Sequence, residues 1–457
     1  MMRTFDKVDV EVRDEAVIDE MTRGMMFAEL AITDNKEKTL EKVAKNNPWH
    51  AKALKLITGS DERAHLPLKD ILYDDMGGLI LDCEMDVSGV TKGGHFLDTQ
   101  GYIAHNNEYV VVAFRCTTSI FDWMTNFNTT SSAWEVDQDK VEGYSGMCSG
   151  FEGLCCQGTE YKPRVHTGFY NNFLAILPDL ERHVDQYLRN YERPRKLYIV
   201  GHSLGAGIAN ITATYFLMKY NWSLIPQELV LVTAGSPRSI CSSMKTLTDQ
   251  KREEYGSKQV RFYRIVKGSD IVASVPPKLL GFEHIVEPIV ITDEGRIVLS
   301  LNRNDNETNV AQLLQLKQNM VPGCFSCSSK APLDYDTQSE TDDDEDASQI
   351  DKKPVDDEET KYNKFVARIP KNLRDHMPDF YLQPLFKAKG ITCGSLRPRE
   401  EPSDDDDESA NSPDNGSAQN THRPQTVKQK KQRTWIPKSL WRRKRRHVEV
   451  TPAYSYF

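Results

Sequence analysis

The segment Gly201-His202-Ser203-Leu204-Gly205-Ala206-Gly207 constrains the fold of this chain more than any other. The apolar run Tyr198-Ile199-Val200 precedes it, and the helix-forming run IANITATYFL follows. A G-x-S-x-G pattern between a strand and a helix has the context of a nucleophile elbow. The turn is so tight that the positions two before and two after the serine need almost no side chain. The serine is thereby presented at the mouth of a helix, where backbone N–H groups bind an oxyanion. Around this unit the sequence predicts a strand at 196–200, a helix at 204–220, and strands at 228–233 and 261–266. Upstream, 109–114 fits a buried strand and 169–191 an amphipathic helix, which Pro178 should kink or divide. The first hundred or so residues read as a helical lead-in, with a helix over 15–30, followed by short strands. Strands alternating with helices give an α/β chain with a mostly parallel central sheet and flanking helices.

Composition divides the chain. Of 457 residues, 39% are hydrophobic, below the ~45–50% usual for globular chains. The first two-thirds is ordinarily apolar, so the deficit lies in the C-terminal third. There stand two acidic runs, TDDDEDASQIDKKPVDDEE and EEPSDDDDES, too charged to bury a core. Between them is an apolar island, KYNKFVARIPKNLRDHMPDFYLQPLF. An island flanked by disorder is expected to tether back to the main domain. The expected organisation is a lead-in over 1–90, a core over 91–322, a disordered acidic insert over 323–360, a returning core segment over 361–390, and a disordered tail over 391–457.

Five blocks, in order, resemble the class 3, fungal-type lipase family of the α/β-hydrolase superfamily: YVVVAFRCTTSIFDWMTNF, VHTGFY, YIVGHSLGAGIA, LVTAGSPR and RFYRIVKGSDIVASVPP. With the late block DHMPDFY, the resemblance spans about residues 90–386. It implies an α/β-hydrolase fold and hydrolysis of acyl esters of acylglycerols, with a lipid ester as substrate and no cofactor or metal. It further implies a triad of Ser203 as nucleophile, Asp270 as the acid and a late histidine, His376, as the base. His284 follows the acid more closely, but a histidine near that point is commonly non-catalytic in the family. The oxyanion N–H groups would be those of Leu204 and Thr117. Ser119, Ile120, Phe121, Trp123, Met124 and Phe127 fall where the family carries a lid, and most of them are apolar. The chain departs from the pattern at Cys116, where glycine is usual, which leaves a small buried residue or a redox-sensitive thiol as its readings. His166 and His202 lie inside matching blocks and are expected to have hydrogen-bonded packing roles. Two alternatives stand beside the acylglycerol reading: a phospholipase A-type acyl hydrolase, and an inactive lipase-like protein that binds membranes.

The acidic N-terminus, MMRTFDKVDVEVRDEAVIDE, is unlike a signal peptide, and no run approaches the ~20 apolar residues that span a bilayer. These features lead to the expectation of a cytoplasmic protein, with unbridged thiols, that contacts membranes peripherally. Local pairing among Cys148, Cys155 and Cys156 stays open, and the lone Cys324/Cys327 pair argues against zinc. Residues 428–446 carry ten Lys or Arg, no acid, and Trp435 and Trp441. Three readings apply to that segment: an anionic membrane surface, a nuclear localisation signal, or pairing with the chain's own acidic runs. No nucleic-acid partner is expected.

Overall fold

The computed structural model describes residues 9–33, 48–90, 96–116, 130–136, 162–300 and 358–390, all within the unit Met1–Arg399. Thr117, the lid stretch 119–127, the Gly- and Cys-rich stretch 141–157, residues 323–357 of the acidic insert and the basic segment 428–446 lie outside the described residues, while 358–360, expected to belong to the disordered insert, open a helix.

The main sheet is built from β1 (Asp9–Glu11), β2 (Ile80–Val90), β3 (Phe96–His105), β4 (Tyr109–Phe114), β7 (Lys196–His202), β8 (Glu228–Ala234), β10 (Val260–Lys267), β12 (Pro288–Ile291) and β13 (Ile297–Ser300), in the order β1-β13-β12-β10-β8-β7-β4-β3-β2. From β4 to β12 neighbouring strands are parallel; β2, β3 and β4 form an antiparallel meander, and β13 and β1 close the other edge antiparallel. The parallel centre is why 109–114, 196–200 and 228–233 are near-continuous apolar runs, since both faces are covered. A small second sheet joins β5 (Ser131–Ala133), β6 (Arg164–His166), β9 (Ile240–Cys241) and β11 (Phe282–Glu283). This is the mostly parallel α/β-hydrolase architecture expected from the sequence.

Helices cover both faces. α1 (Glu15–Leu30) starts at Asp14, whose side chain accepts from the N–H groups of Ala16 and Val17. It lies so close to the sheet that a Cβ on Gly24 would sit 2.4 Å from Val232 Cβ. α2 (Pro48–Thr58), α3 (Asp61–Ala64) and α4 (Leu68–Asp74) follow. α5 (Thr167–Leu188) buries the stripe Phe169, Phe173, Ile176, Leu180, Val184 and Leu188 at helical spacing. α6 (Leu204–Lys219) is buried on nearly every side, and α7 (Ser242–Gln259) precedes β10. In the C-terminal segment α8 (Glu358–Ala367), α9 (Lys371–Arg374) and α10 (Pro378–Lys389) pack back onto the body, α10 against α1 and α2. Tyr381, Leu382 and Leu385 of α10 are fully buried there.

Three local expectations need correction. Pro178 does not divide α5. A proline leaves the carbonyl four residues before it, that of Leu174, without its helical donor, and Leu174 is 39% exposed, so the helix runs on unbroken on its solvent side. The strands after the lead-in are long, with β2 of 11 and β3 of 10 residues. And α7 separates β8 from β10; its sequence SSMKTLTDQKREEYGSKQ buries only Met244 and Leu247 among its apolar residues, too thin a stripe to announce a helix by periodicity.

Candidate active site

Parallel α/β sheets place their sites beyond the carboxyl ends of central strands. Here Ser203 directly follows β7, Gly235 directly follows β8 and Asp270 comes shortly after β10, three neighbouring strands. Ser203 has φ 59° and ψ −125°, a positive φ found at no other non-glycine residue among the described ones. Such a backbone costs about 1–2 kcal/mol and persists because its surroundings enforce it. A Cβ on Gly201 would lie 2.4 Å from the Gly205 carbonyl, and one on Gly205 would lie 2.4 Å from the Phe114 carbonyl oxygen. The Ser203 N–H donates to the Ala234 carbonyl at 3.0 Å. Leu204 is the first residue of α6, so its N–H is among those a helix start leaves without an intrahelical acceptor.

His376 stands between α9 and α10 and meets Asp270: its Nδ1 is 2.9 Å from Oδ1 and 2.8 Å from Oδ2. A carboxylate is acceptor-only, so Nδ1 carries the hydrogen and Nε2 keeps a lone pair. Among the described residues neither His376 Nε2 nor the buried Ser203 Oγ has a hydrogen-bond partner. Asp270 is held further by the Val272 N–H at 2.8 Å and by the Tyr381 hydroxyl, which donates to Oδ2 at 2.5 Å. Burial pushes the Asp270 carboxyl up, but His376 and Tyr381 outweigh it and hold it below the usual carboxylate range. Burial likewise pushes His376 down, with Asp270 pulling the other way, and it ends below an ordinary imidazole.

The structure thus brings His376, and not His284, to Asp270. The Nε2–H of His284 donates to the Ala273 carbonyl at 2.8 Å, bracing the turn after Asp270. Burial, with Arg264 and Arg238 nearby, drives its imidazole well below the ordinary range. His166 caps α5, its Nδ1 accepting the Gly168 N–H at 3.1 Å, in keeping with the packing role expected for it. Cys116 is buried with Sγ 3.2 Å from His50 Nε2, and burial pushes its thiol well up, away from thiolate reactivity.

Sequence reasoning missed Gly235, Tyr381, Glu29 and His50. Gly235 has φ 55°, and a Cβ there would lie 2.7 Å from both Asp270 Oδ2 and His376 Cε1. Its signal was present in the Gly-x-Pro-Arg turn. Tyr381 belonged to the aromatic pair after His376, but nothing marked its hydroxyl as the partner of Asp270. Glu29 and His50 lie in the lead-in, outside every matching block. A cavity of about 450 Å³, lined by charged residues such as Lys267, Asp293 and Lys371 together with Phe380 and Pro384, includes none of Ser203, Asp270 or His376. Among the described residues no group of three or more His, Cys, Asp or Glu is arranged to hold a metal ion.

The fold and the strained serine turn define an α/β-hydrolase. The family model described as lipase (class 3) matches residues 111–280 of this chain. The secreted mono- and diacylglycerol lipase A of Penicillium cyclopium is 26% identical over 48% of this chain and 61% of its own length. The lipase of Rhizomucor miehei is 29% identical over 40% of this chain and 50% of its own. The chloroplastic phospholipase A(1) DAD1 of Arabidopsis thaliana is 28% identical over 37% and 34% respectively. The chain therefore spans less than two-thirds of these relatives. The crystal structure of a lipase from Rhizopus microsporus var. chinensis aligns at 19% identity and a TM-score of 0.42, over 65% of this chain and 83% of that one.

The comparisons also correct the cytoplasmic location expected from the N-terminus. The Penicillium relatives are secreted proteins by name, and no described helix is long and apolar enough to cross a membrane. An acidic start to the chain carried too little information to assign a compartment.

Proposed function

We propose that the protein is a serine ester hydrolase acting on acylglycerols. Ser203 Oγ attacks the ester carbonyl while His376 Nε2 takes its proton, and Asp270 holds the imidazole through Nδ1. The N–H groups of Leu204 and Thr117 receive the oxyanion. Collapse of the tetrahedral species breaks the ester bond, and His376 returns its proton to the leaving alcohol. Water then attacks the acyl-serine, with His376 again the base, and releases the fatty acid.

The observation that carries the reading is the 2.8 Å contact of His376 Nδ1 with Asp270 Oδ2, which leaves Nε2 as a base on the same sheet end as Ser203. The acylglycerol preference is supported by the names of the Penicillium relatives, and a phospholipase A reading by that of the Arabidopsis one. The apolar segment 119–127 is proposed as a lid on its sequence and its place in the family pattern. Residues 428–446 are proposed to meet an anionic lipid surface through their basic charge and tryptophans.

The test compares Ser203→Ala, His376→Ala and His284→Ala on a short-chain p-nitrophenyl ester, then on diacylglycerol and phosphatidylcholine. The first two variants should lose a factor on the order of 10⁴ or more in kcat, and Ser203→Ala should lose fluorophosphonate labelling. His284→Ala should lose only a modest factor, through stability. A folded Ser203→Ala variant within about tenfold of wild type rejects the mechanism. Faster turnover of phosphatidylcholine than of diacylglycerol moves the substrate to phospholipid.

A further inference from the structure

Behind the proposed triad lies a chain of buried polar side chains that the mechanism does not use. Glu29, near the end of α1, is 2% exposed and faces two imidazoles. Its Oε2 is 3.0 Å from Nδ1 of His50, whose Nε2 approaches the Cys116 thiol, and its Oε1 is 2.9 Å from Nδ1 of His202. His202 is itself 2% exposed, and its Nε2 lies 3.0 Å from the main-chain carbonyl of His376. The two rings, His202 and His376, stack at 4.8 Å between centroids and 27° between planes.

Both nitrogens of His202 therefore face oxygens that only accept. A bare lone pair on Nε2 would oppose the carbonyl oxygen 3.0 Å away, so Nε2 carries a hydrogen, and the Glu29 carboxylate 2.9 Å from Nδ1 favours a second proton there, making the ring an imidazolium. The contact with Glu29 lies off the line of an N–H bond, so it acts as an ion pair more than as a linear hydrogen bond. A buried cation without a counter-charge is too costly to persist, and Glu29 supplies that charge.

We infer that Glu29 is a positioning residue for the hydrolysis: it keeps His202 doubly protonated, and His202 in turn clamps the main chain of His376 and faces its ring. The inference rests on His376 being the general base. The groups that face His202 are Glu29 from α1, His50 from α2, Asp270 from the turn after β10, and His376 and Tyr381 from the C-terminal segment. Burial pushes His202 down, but the Glu29 carboxylate outweighs it and the net direction is upward. Glu29, despite its burial, is held down to about 2 by His202 and His50. A cation stacked on His376 disfavours a second proton there, so Nε2 stays unprotonated to lower pH. Asp270 provides the opposing charge when His376 takes the serine proton.

The test is the pH dependence of kcat/KM on a p-nitrophenyl ester for the full chain, its Glu29→Gln variant and its Glu29→Asp variant. With a neutral residue at 29, His202 sheds a proton, the ring facing His376 loses its charge, and the acid limb moves upward. A shift of about half to one pH unit is expected for Glu29→Gln, with a plateau lowered by about tenfold. Glu29→Asp keeps the charge and should keep the wild-type limb. An unmoved limb in folded Glu29→Gln overturns the inference. A second measurement is independent of turnover. Nitrogen-15 spectra of histidine-labelled wild type should contain an imidazolium that persists at about pH 8, well above the ordinary histidine pKa. Its absence overturns the inference even if the variants do not fold. A wild-type chain that hydrolyses no ester overturns the catalytic reading instead, and the spectra then decide the ion pair alone.

Discussion

Gly235→Ala tests the site without removing any functional group. Gly235 directly follows β8 at φ 55°, and the new Cβ would lie 2.7 Å from Asp270 Oδ2, 2.7 Å from His376 Cε1 and 2.8 Å from His376 Nδ1. Carbon contacts relax to about 3.5 Å, so the ring and the carboxylate must part from the methyl by about 0.8 Å. Neither yields easily, because Asp270 is fixed by Val272 and Tyr381 and the His376 main chain by His202. Displacement therefore opens the 2.8 Å His–Asp contact toward ~3.5 Å, beyond hydrogen-bond distance. The backbone strain should cost about 1–2 kcal/mol and the overpacking about 1–3 kcal/mol in stability. A misplacement of that size should lower kcat/KM on the order of 10²-fold. Gly256→Ala is the control: its φ is 74°, yet nothing lies within 4 Å of the added Cβ. It carries the strain without the wedge and should lose stability but not rate. Urea unfolding and kcat/KM on a p-nitrophenyl ester are measured for both. A Gly235→Ala enzyme within about threefold of wild type, or an equal rate loss in Gly256→Ala, refutes the argument.

Asp379 is buried in the first turn of α10, accepts a 2.8 Å hydrogen bond from the Tyr362 hydroxyl, and is raised by burial to about 6. Its folded form keeps a proton that the unfolded chain loses from about pH 4 upward, so its contribution falls as pH rises through that window. Asp379→Asn keeps an acceptor for Tyr362 and should stabilise by about 1–3 kcal/mol at pH 8 but little at pH 4; an equal effect at both rejects the reading. Removing 428–446 should weaken sedimentation with phosphatidylserine vesicles, increasingly so at low salt, and equal binding to neutral vesicles rejects the charge argument.

The elbow, the parallel strands at the sheet centre and the candidates Ser203, Asp270 and His376 stood out in the sequence because each lay in a local pattern. An apolar run, a pair of glycines that exclude side chains, or an aromatic pair after a histidine is visible in a short window. Glu29 and His50 were not legible for the opposite reason. Each sits in an ordinary helix, and its meaning arises only when α1 and α2 pack beside β7. The Tyr381 hydroxyl was hidden in the same way, because an aromatic residue on a helix is by default a core residue. α7 escaped because a helix clamped by two apolar side chains has almost no period to detect.

Distance along the chain does not weigh against His376 joining a site whose other members lie before residue 271. The entropy of bringing distant parts of a chain together grows only logarithmically with their separation, by about 0.6 kcal/mol per doubling. Against that cost stand Tyr381, Leu382, Leu385 and Phe386, all buried, at about 1.5–3 kcal/mol each. The ion pairs of Lys389 with Asp19 and of Lys52 with Glu359 lie at the surface and add little. Docking of α10 is thus driven by its apolar face, and the surface it covers belongs to α1 and α2. The same two helices supply Glu29 and His50. The N-terminal helices therefore have two tasks in one packing arrangement: they give the late segment an apolar seat, and they bring the buried carboxylate that holds His202 against His376. A substitution that loosens α1 from the sheet, such as a larger residue at Gly24, should disturb both together, lowering stability and shifting the acid limb of the pH profile upward in the same variant.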